Sequence, residues 1–462
     1  MTIATSSPTA NRKQNRPSRT QAGFAFGIVL LINILNYMDR TILPAVLPHL
    51  QKDFQLSNTE AGLLGSSFLL IYAIAALPLG MWADRGVRKN IVAICAGIWS
   101  IATALAGFTQ NFIQLFITRA VLGIGEAGYA PASLSLIGDL FPKEQRGRIL
   151  SIWAISNLIG TALGLTLGGI VADKLGWRWA FYMVGIPGLI AAFFIWRAHE
   201  PPRGVFDRSE DEAEEQTEQS IGEHTASRPK NITQWAADLG RTLRHFLHIP
   251  TYWVLLVAFI FSFFITGAAQ FWIPVYLTKA FQLSAAQAGS LAGGTLAGGS
   301  LLGALIGGWL ADMLQQRRPQ GRMLVSMSAF LLGAPLTLIA LSLHQLIPFI
   351  IIFAFAIISL SLCLGPLNAI IQDVITPEMR ATGLGLILLL AHLFGDVTST
   401  TVIGILADHF TLATALRITA PICLLIAGLV CIIGVRTVAK DMQTMQKTLE
   451  SKRFTEVKAK NT

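Results

Sequence analysis

Charge is scarce in this chain of 462 residues. Asp, Glu, Lys and Arg together make up 13%, about half of the roughly 25% usual in soluble domains. With 53% hydrophobic residues and a mean hydropathy of +0.57, a water-soluble enzyme or nucleic-acid-binding domain is excluded. Cysteine is nearly absent too. Cys95, Cys363, Cys423 and Cys431 lie in apolar stretches without metal-ligand spacing, so neither metal nor redox chemistry, and no cofactor, is expected. A GxxxxGK[ST] phosphate loop is missing, so any work must be driven by a gradient rather than by ATP on this chain. Residues 1–21 are polar and basic, and the apolar segment after them is too long, without a small-residue cleavage site, for a secretory signal. The N-terminus is expected to be retained.

What is abundant is glycine, 41 residues, which lets membrane helices approach closely where the hydrophobic effect does not drive association. Apolar runs of about 20 residues occur near 22–46, 60–83, 90–110, 114–138, 148–172, 179–197, 250–277, 288–312, 322–343, 346–372, 381–407 and 414–435. The fold class is therefore an all-α membrane protein with twelve transmembrane helices in two six-helix halves. Expected units are an N-terminal tail 1–21, a bundle 22–198, a linker 199–248, a second bundle 249–436 and a tail 437–462. The linker contains the acidic "DRSEDEAEEQTE" and the amphipathic "NITQWAADLGRTLRHF", whose Ile232, Trp235, Leu239 and Leu243 share one helical face, as an interfacial helix requires. Of the 35 Lys and Arg residues, five (Lys52, Lys174, Arg178, Lys279 and Arg417) fall on one side, and Arg40 and Arg119 fall inside helices. The rest share the side of the tails and linker. The positive-inside rule then places both termini in the cytoplasm, and the net charge of +9 faces anionic lipid rather than nucleic acid.

Two loops recur. "GMWADRGVRK" (Gly80 to Lys89) follows helix 2 and "GWLADMLQQRR" (Gly308 to Arg318) follows helix 8, while "DLFPKEQR" (Asp139 to Arg146) and "DVITPEMR" (Asp373 to Arg380) follow helices 4 and 10. Recurrence at nearly one offset marks a duplicated six-helix unit with parallel, pseudo-symmetric halves. The first loop resembles the signature loop of the major facilitator superfamily, and "RAVLGIGEAGYAP" resembles that family's RxxxGxxxA-type helix 4 motif. The resemblance implies the major facilitator fold. It also implies a cytoplasmic gate in which Gly80 permits close helix approach and Asp84, Arg85, Arg88 and Lys89 form a clamp, with Asp139 and Arg146 as partners. The second copy supplies Asp312, Asp373 and Arg380. It has no base directly after Asp312, so its clamp is expected to be weaker. "NYMDR", "GIGEAGYAPASLSLIGDLFP", "GPLNAIIQDVITPEMRATGLG" and "AHLFGDVTSTTVIGILADHF" together resemble the Spinster branch, whose members move lysophospholipids and sphingosine-type lipids. The first two also resemble symporters of organic anions.

Asp39 and Arg40 stand side by side deep within helix 1. Side chains at i and i+1 point about 100° apart on a helix of 3.6 residues per turn, so each needs its own partner. Helix 4 offers Arg119 and Glu126, seven residues apart and on one face. The expected pairs are Asp39 with Arg119 and Arg40 with Glu126. The carboxylates Asp39 and Glu126 are candidate proton sites, and Arg40 and Arg119 are candidate anchors for an anionic group. A structural ion network holding the helices in register is the alternative. The second half offers Gln270, Asn368 and the i, i+4 pair His392 and Asp396; with Asn157 these are candidate substrate contacts, although helix-to-helix bonding suits Asn157 better and a structural hydrogen bond is the alternative for His392 and Asp396.

The expected activity is alternating-access secondary transport of an amphiphilic anion such as a lysophospholipid or sphingolipid-like molecule, coupled to protons. The alternative cargo is a small organic anion such as a sugar acid. A non-transporting receptor or scaffold is the alternative of another class. A monomer in membrane lipid is expected, in a bacterial inner membrane.

Overall fold

The structure is a computed structural model that describes residues 17–206, Phe246 and residues 248–460. The acidic and amphipathic stretches expected between the halves, and most of the N-terminal tail, lie outside the described residues. Twelve helices long and apolar enough to cross a membrane follow one another: α1 Arg19–Phe54, α2 Asn58–Arg85, α3 Arg88–Ala106, α4 Phe112–Leu140, α5 Lys143–Leu175, α6 Trp177–Arg197, α7 Pro250–Phe281, α8 Ala285–Arg317, α9 Gly321–Ser342, α10 Leu346–Val374, α11 (380–409) and α12 Leu412–Lys460. Both ends of the described chain lie on one face of the bundle, the terminal face; the opposite one is the far face.

Several helices outrun their apolar cores, because polar residues continue them to a cap. Ser18, Ser57 and Ser284 each close a capping box with Gln21, Glu60 and Gln287, satisfying first-turn N–H groups that would otherwise lack partners. The greatest extension is α12, which carries the expected tail as helix to Lys460. Three helices are interrupted near mid-membrane. A turn at Gly128 splits α4 directly after Ala127, α10 breaks at Leu362 and Cys363, and α11 passes through a π turn, His392–Asp396. All four cysteines are buried and free.

Glycine sets the tightest contacts. A Cβ on Gly164 of α5 would stand 2.1 Å from Thr41 Oγ1 and 2.6 Å from the Met38 carbonyl oxygen of α1. The halves meet through α5 with α8, α2 with the Val397–His409 part of α11, and α1 with α7. Gly289 of α8 lies so close to α5 that a Cβ would meet the Leu165 oxygen at 2.0 Å. In mid-membrane Ser66 of α2 bonds to Thr400 (2.7 Å) and Thr401 (2.6 Å) of α11. Toward the terminal face the same surfaces part. Gly80 lies five turns along α2 from Gly62, on the same azimuth, yet Gly80 and Gly385 have nothing within 4 Å of a Cβ whereas Gly62 abuts Thr400. The close approach expected at Gly80 is thus not made here, because α2 and α11 are joined from the far face to mid-membrane and part beyond it.

Replacing Gly164 by Val should cost about 1–3 kcal/mol through overpacking against backbone and lower the thermal unfolding midpoint in detergent. Gly80→Val, facing open space, should leave that midpoint unchanged.

Candidate functional site

Helix α1 brings its adjacent charges to two different neighbours. Arg119 Nη2 donates to Asp39 Oδ1 at 3.0 Å, and Thr103 of α3 donates its hydroxyl to Asp39 Oδ2. Arg40 Nε donates to Glu126 Oε2 at 2.7 Å. Asp39, Arg119 and Glu126 are all buried, so each charge sits away from solvent beside a counter-charge, as burial demands. Both expected pairs are present in the structure. Thr103 could not have been singled out, since a lone hydroxyl in an apolar helix carries no pattern.

Arg40 differs from the other three charges because 23% of its side chain remains exposed. Its guanidinium lies over the rings of Tyr37 (5.1 Å), Phe68 (5.4 Å) and Tyr72 (5.0 Å), within range of cation–π attraction. Glu126 holds it through Nε only, and among the described residues its two Nη groups have no hydrogen-bond partner. Arg40 borders a cavity of about 110 Å³, whose lining also includes Arg119, Gln270, Phe271, Asp396 and Thr400. Gln270 also lines a second cavity of about 60 Å³, along with Thr161, Thr266, Ser300 and Ser361. The cavities adjoin along α7.

In the second half His392 Nδ1 and Asp396 Oδ2 are 2.9 Å apart across the π turn, an irregularity common at functional positions. The His392 ring meets Phe263 edge-on at 4.8 Å and Tyr72 at 6.2 Å. Tyr72 therefore touches Arg40 in its own half and His392 in the other. Two expected contacts lie elsewhere. Asn157 accepts a hydrogen bond from Asn33, which also donates to Ser156 (2.6 Å) and the Trp153 carbonyl (3.1 Å), so it braces α1 against α5. Asn368 donates to its own helix at Leu364 (2.8 Å).

At the terminal face the expected clamp residues act within each half. Buried Arg88 donates to Asp139, to Glu200 at 2.8 Å and to the Pro201 carbonyl at 2.6 Å. Lys89 Nζ reaches the Ala198 carbonyl at 2.8 Å, so the end of α6 is tied to α3 and α4. In the second half Arg322 donates to Asp373 (2.6 Å) and Asp312 (3.1 Å). The base missing after Asp312 is thus supplied from the start of α9. Arg88 precedes Asp139, and Arg322 precedes Asp373, by the same 51 residues, a spacing that could have revealed Arg322; Glu200 had no such signal. Arg146 and Arg380 repeat each other as well, donating to the Phe141 (3.2 Å) and Ile375 (3.3 Å) carbonyls at the preceding helix ends. The side chains of Asp84 and Arg85 lie outside the described residues.

The sequence profile of the Major Facilitator Superfamily matches residues 29–397. The chain belongs to that superfamily. Within it the chain is 30% identical over 400 residues to protein spinster homolog 1 of Xenopus laevis, covering 83% of this chain and 72% of that protein. Human spinster homolog 1 is 29% identical over 405 residues with the same coverage, and an MFS-type efflux pump of Mycolicibacterium smegmatis is 27% identical over 399 residues, covering 86% and 87%. The fold is similar to that of a solved bacterial homolog of the human lysosomal transporter Spinster in an inward-facing and occupied conformation. That match has a TM-score of 0.78 and 24% identity, covering 92% of this chain and 99% of the other. The chain is a multi-pass membrane transporter of the Spinster type, not an enzyme.

Removing one member of a buried pair strands its partner. Asp39→Ala and Arg119→Leu should each lose about 3–5 kcal/mol and lower the thermal midpoint sharply, while the double variant should recover part of that loss. Equal loss in the single and double variants would show that the two residues do not interact.

Proposed function

We propose that this transporter moves an amphiphilic anion, a lysophospholipid or sphingolipid-like molecule, by alternating access coupled to protons. The observation that carries the reading is Arg40: a partly exposed side chain lining a cavity, held by Glu126 through Nε and by three rings, with no hydrogen-bond partner for its Nη groups among the described residues. Such a planar fork suits a phosphate or carboxylate. A cavity of about 110 Å³ accommodates a head group but not the whole amphiphile, so the acyl chain lies along the apolar surface between the halves. Protonation of Glu126 would free Arg40 for the cargo, and Asp39 would trade its proton against Arg119 in the same way. The chain works as a monomer in a bacterial inner membrane with the terminal face cytoplasmic, which makes the described state open to the cytoplasm.

One observation favours the second cargo. The hydroxyls of Thr161, Thr266, Ser300 and Ser361 around Gln270 could bond the hydroxyls of a sugar acid in the adjoining cavity.

Proteoliposomes should move labelled lysophospholipid faster than empty liposomes, and Arg40→Ala should weaken its binding roughly ten- to a hundred-fold, the worth of one or two charge-assisted hydrogen bonds. Asp39→Asn should flatten the dependence of rate on an imposed pH gradient. Arg40-dependent uptake of a sugar acid, with no lysophospholipid movement, would replace the first cargo by the second.

A further inference from the structure

Four stretches share the pattern Gly-x-x-Ala-Asp, each near the C-terminal end of a membrane helix: Gly80 to Asp84, Gly169 to Asp173, Gly308 to Asp312 and Gly404 to Asp408. The copies in α5 and α11 perform one task at the far face. A Cβ on Gly404 would stand 2.4 Å from the Asn58 oxygen, and one on Gly169 would stand 2.2 Å from the Ala285 oxygen. The first turns of α2 and α8 therefore rest directly on these glycines, each helix on the opposite half of the molecule.

One turn later each aspartate meets the same first turn. Asp408 accepts from the backbone N–H groups of Asn58 and Thr59, both at 2.8 Å, and from Asn58 Nδ2 (2.9 Å) and Thr59 Oγ1 (2.6 Å). Asp173 accepts from the Ala286 N–H at 2.8 Å. Ser57 and Ser284 serve the third N–H of their own helices, which leaves the earlier donors for the opposite half. A helix N-terminus carries roughly half a positive charge, so a carboxylate there gains both hydrogen bonds and field. Basic side chains from α1 and α7 stand beside the two sites: His49 Nε2 is 3.4 Å from Asp173, and Lys279 Nζ donates to Asn58 Oδ1 at 3.1 Å.

We propose that Asp173 and Asp408 are paired latches holding the two halves together at the far face, and that their joint release opens that face. The Asp408 latch is the stronger, with four hydrogen bonds against one. The assignment concerns the contact between halves and holds for any cargo.

Hydrogen–deuterium exchange on the full chain in lipid nanodiscs, without cargo, tests it. In Asp408→Asn, exchange should accelerate roughly ten-fold, the worth of one lost charge-assisted bond, in the first turn of α2. It should also accelerate at residues 284–290 across the molecule and slow around residues 80 and 385 as the terminal face closes. Asp173→Asn should act in the same direction but more weakly. Thr59→Val, which removes a single bond, gives an intermediate pattern and serves if the aspartate variants do not fold. Acceleration confined to the first turn of α2, with residues 284–290 and the terminal face unchanged, would reduce Asp408 to a local cap and overturn the proposal.

Discussion

Everything in the first half is arranged around the cost of placing charge in a bilayer. An unpaired carboxylate or guanidinium at this depth costs at least a few kcal/mol, and α1 carries one of each at consecutive positions. Since neighbours on a helix diverge, they cannot neutralise one another, and two separate counter-charges are required. Arg119 and Glu126, two turns apart on α4, meet that need only if α4 is held in one register relative to α1. The break at Gly128 follows immediately, so α4 changes course once its two charged residues have been delivered.

The halves share a fold and differ in chemistry. In the first, charge is buried and counter-paired; in the second, described mid-membrane polarity consists of amides, hydroxyls and the His392–Asp396 pair. The π turn that carries this pair points it toward Tyr72, and Tyr72 lies against Arg40. Tyr72 thus places an aromatic ring between a cation of one half and an imidazole of the other.

Helix number, duplication and the two ion pairs were legible because they depend on long apolar runs, recurring loops and helical azimuth, all periodic properties of a sequence. Helix ends were less so: hydropathy reports where lipid begins, whereas Ser57, Ser284 and the polar length of α12 determine where a helix stops. Asn157 and Asn368 show the limit for single polar residues, because an amide in an apolar helix satisfies a neighbouring helix or its own carbonyl as readily as a ligand. The contact expected at Gly80 is not made although Gly80 shares the azimuth of Gly62 on α2, because the surfaces of α2 and α11 stand apart toward the terminal face.

The fourfold Gly-x-x-Ala-Asp pattern bears on energy as well as architecture. Helices α2 and α5 cross the membrane in opposite senses, as do α8 and α11, so two copies stand at each face. If the terminal-face copies latch as the far-face copies are proposed to, closing one face or the other would engage chemically equivalent contacts, and the two closed states would differ by the imbalance between like interactions rather than by the full strength of either. A seesaw weighted this evenly responds to small loads. A difference of a few kcal/mol in how one proton or one bound molecule favours either state is enough to reverse its populations.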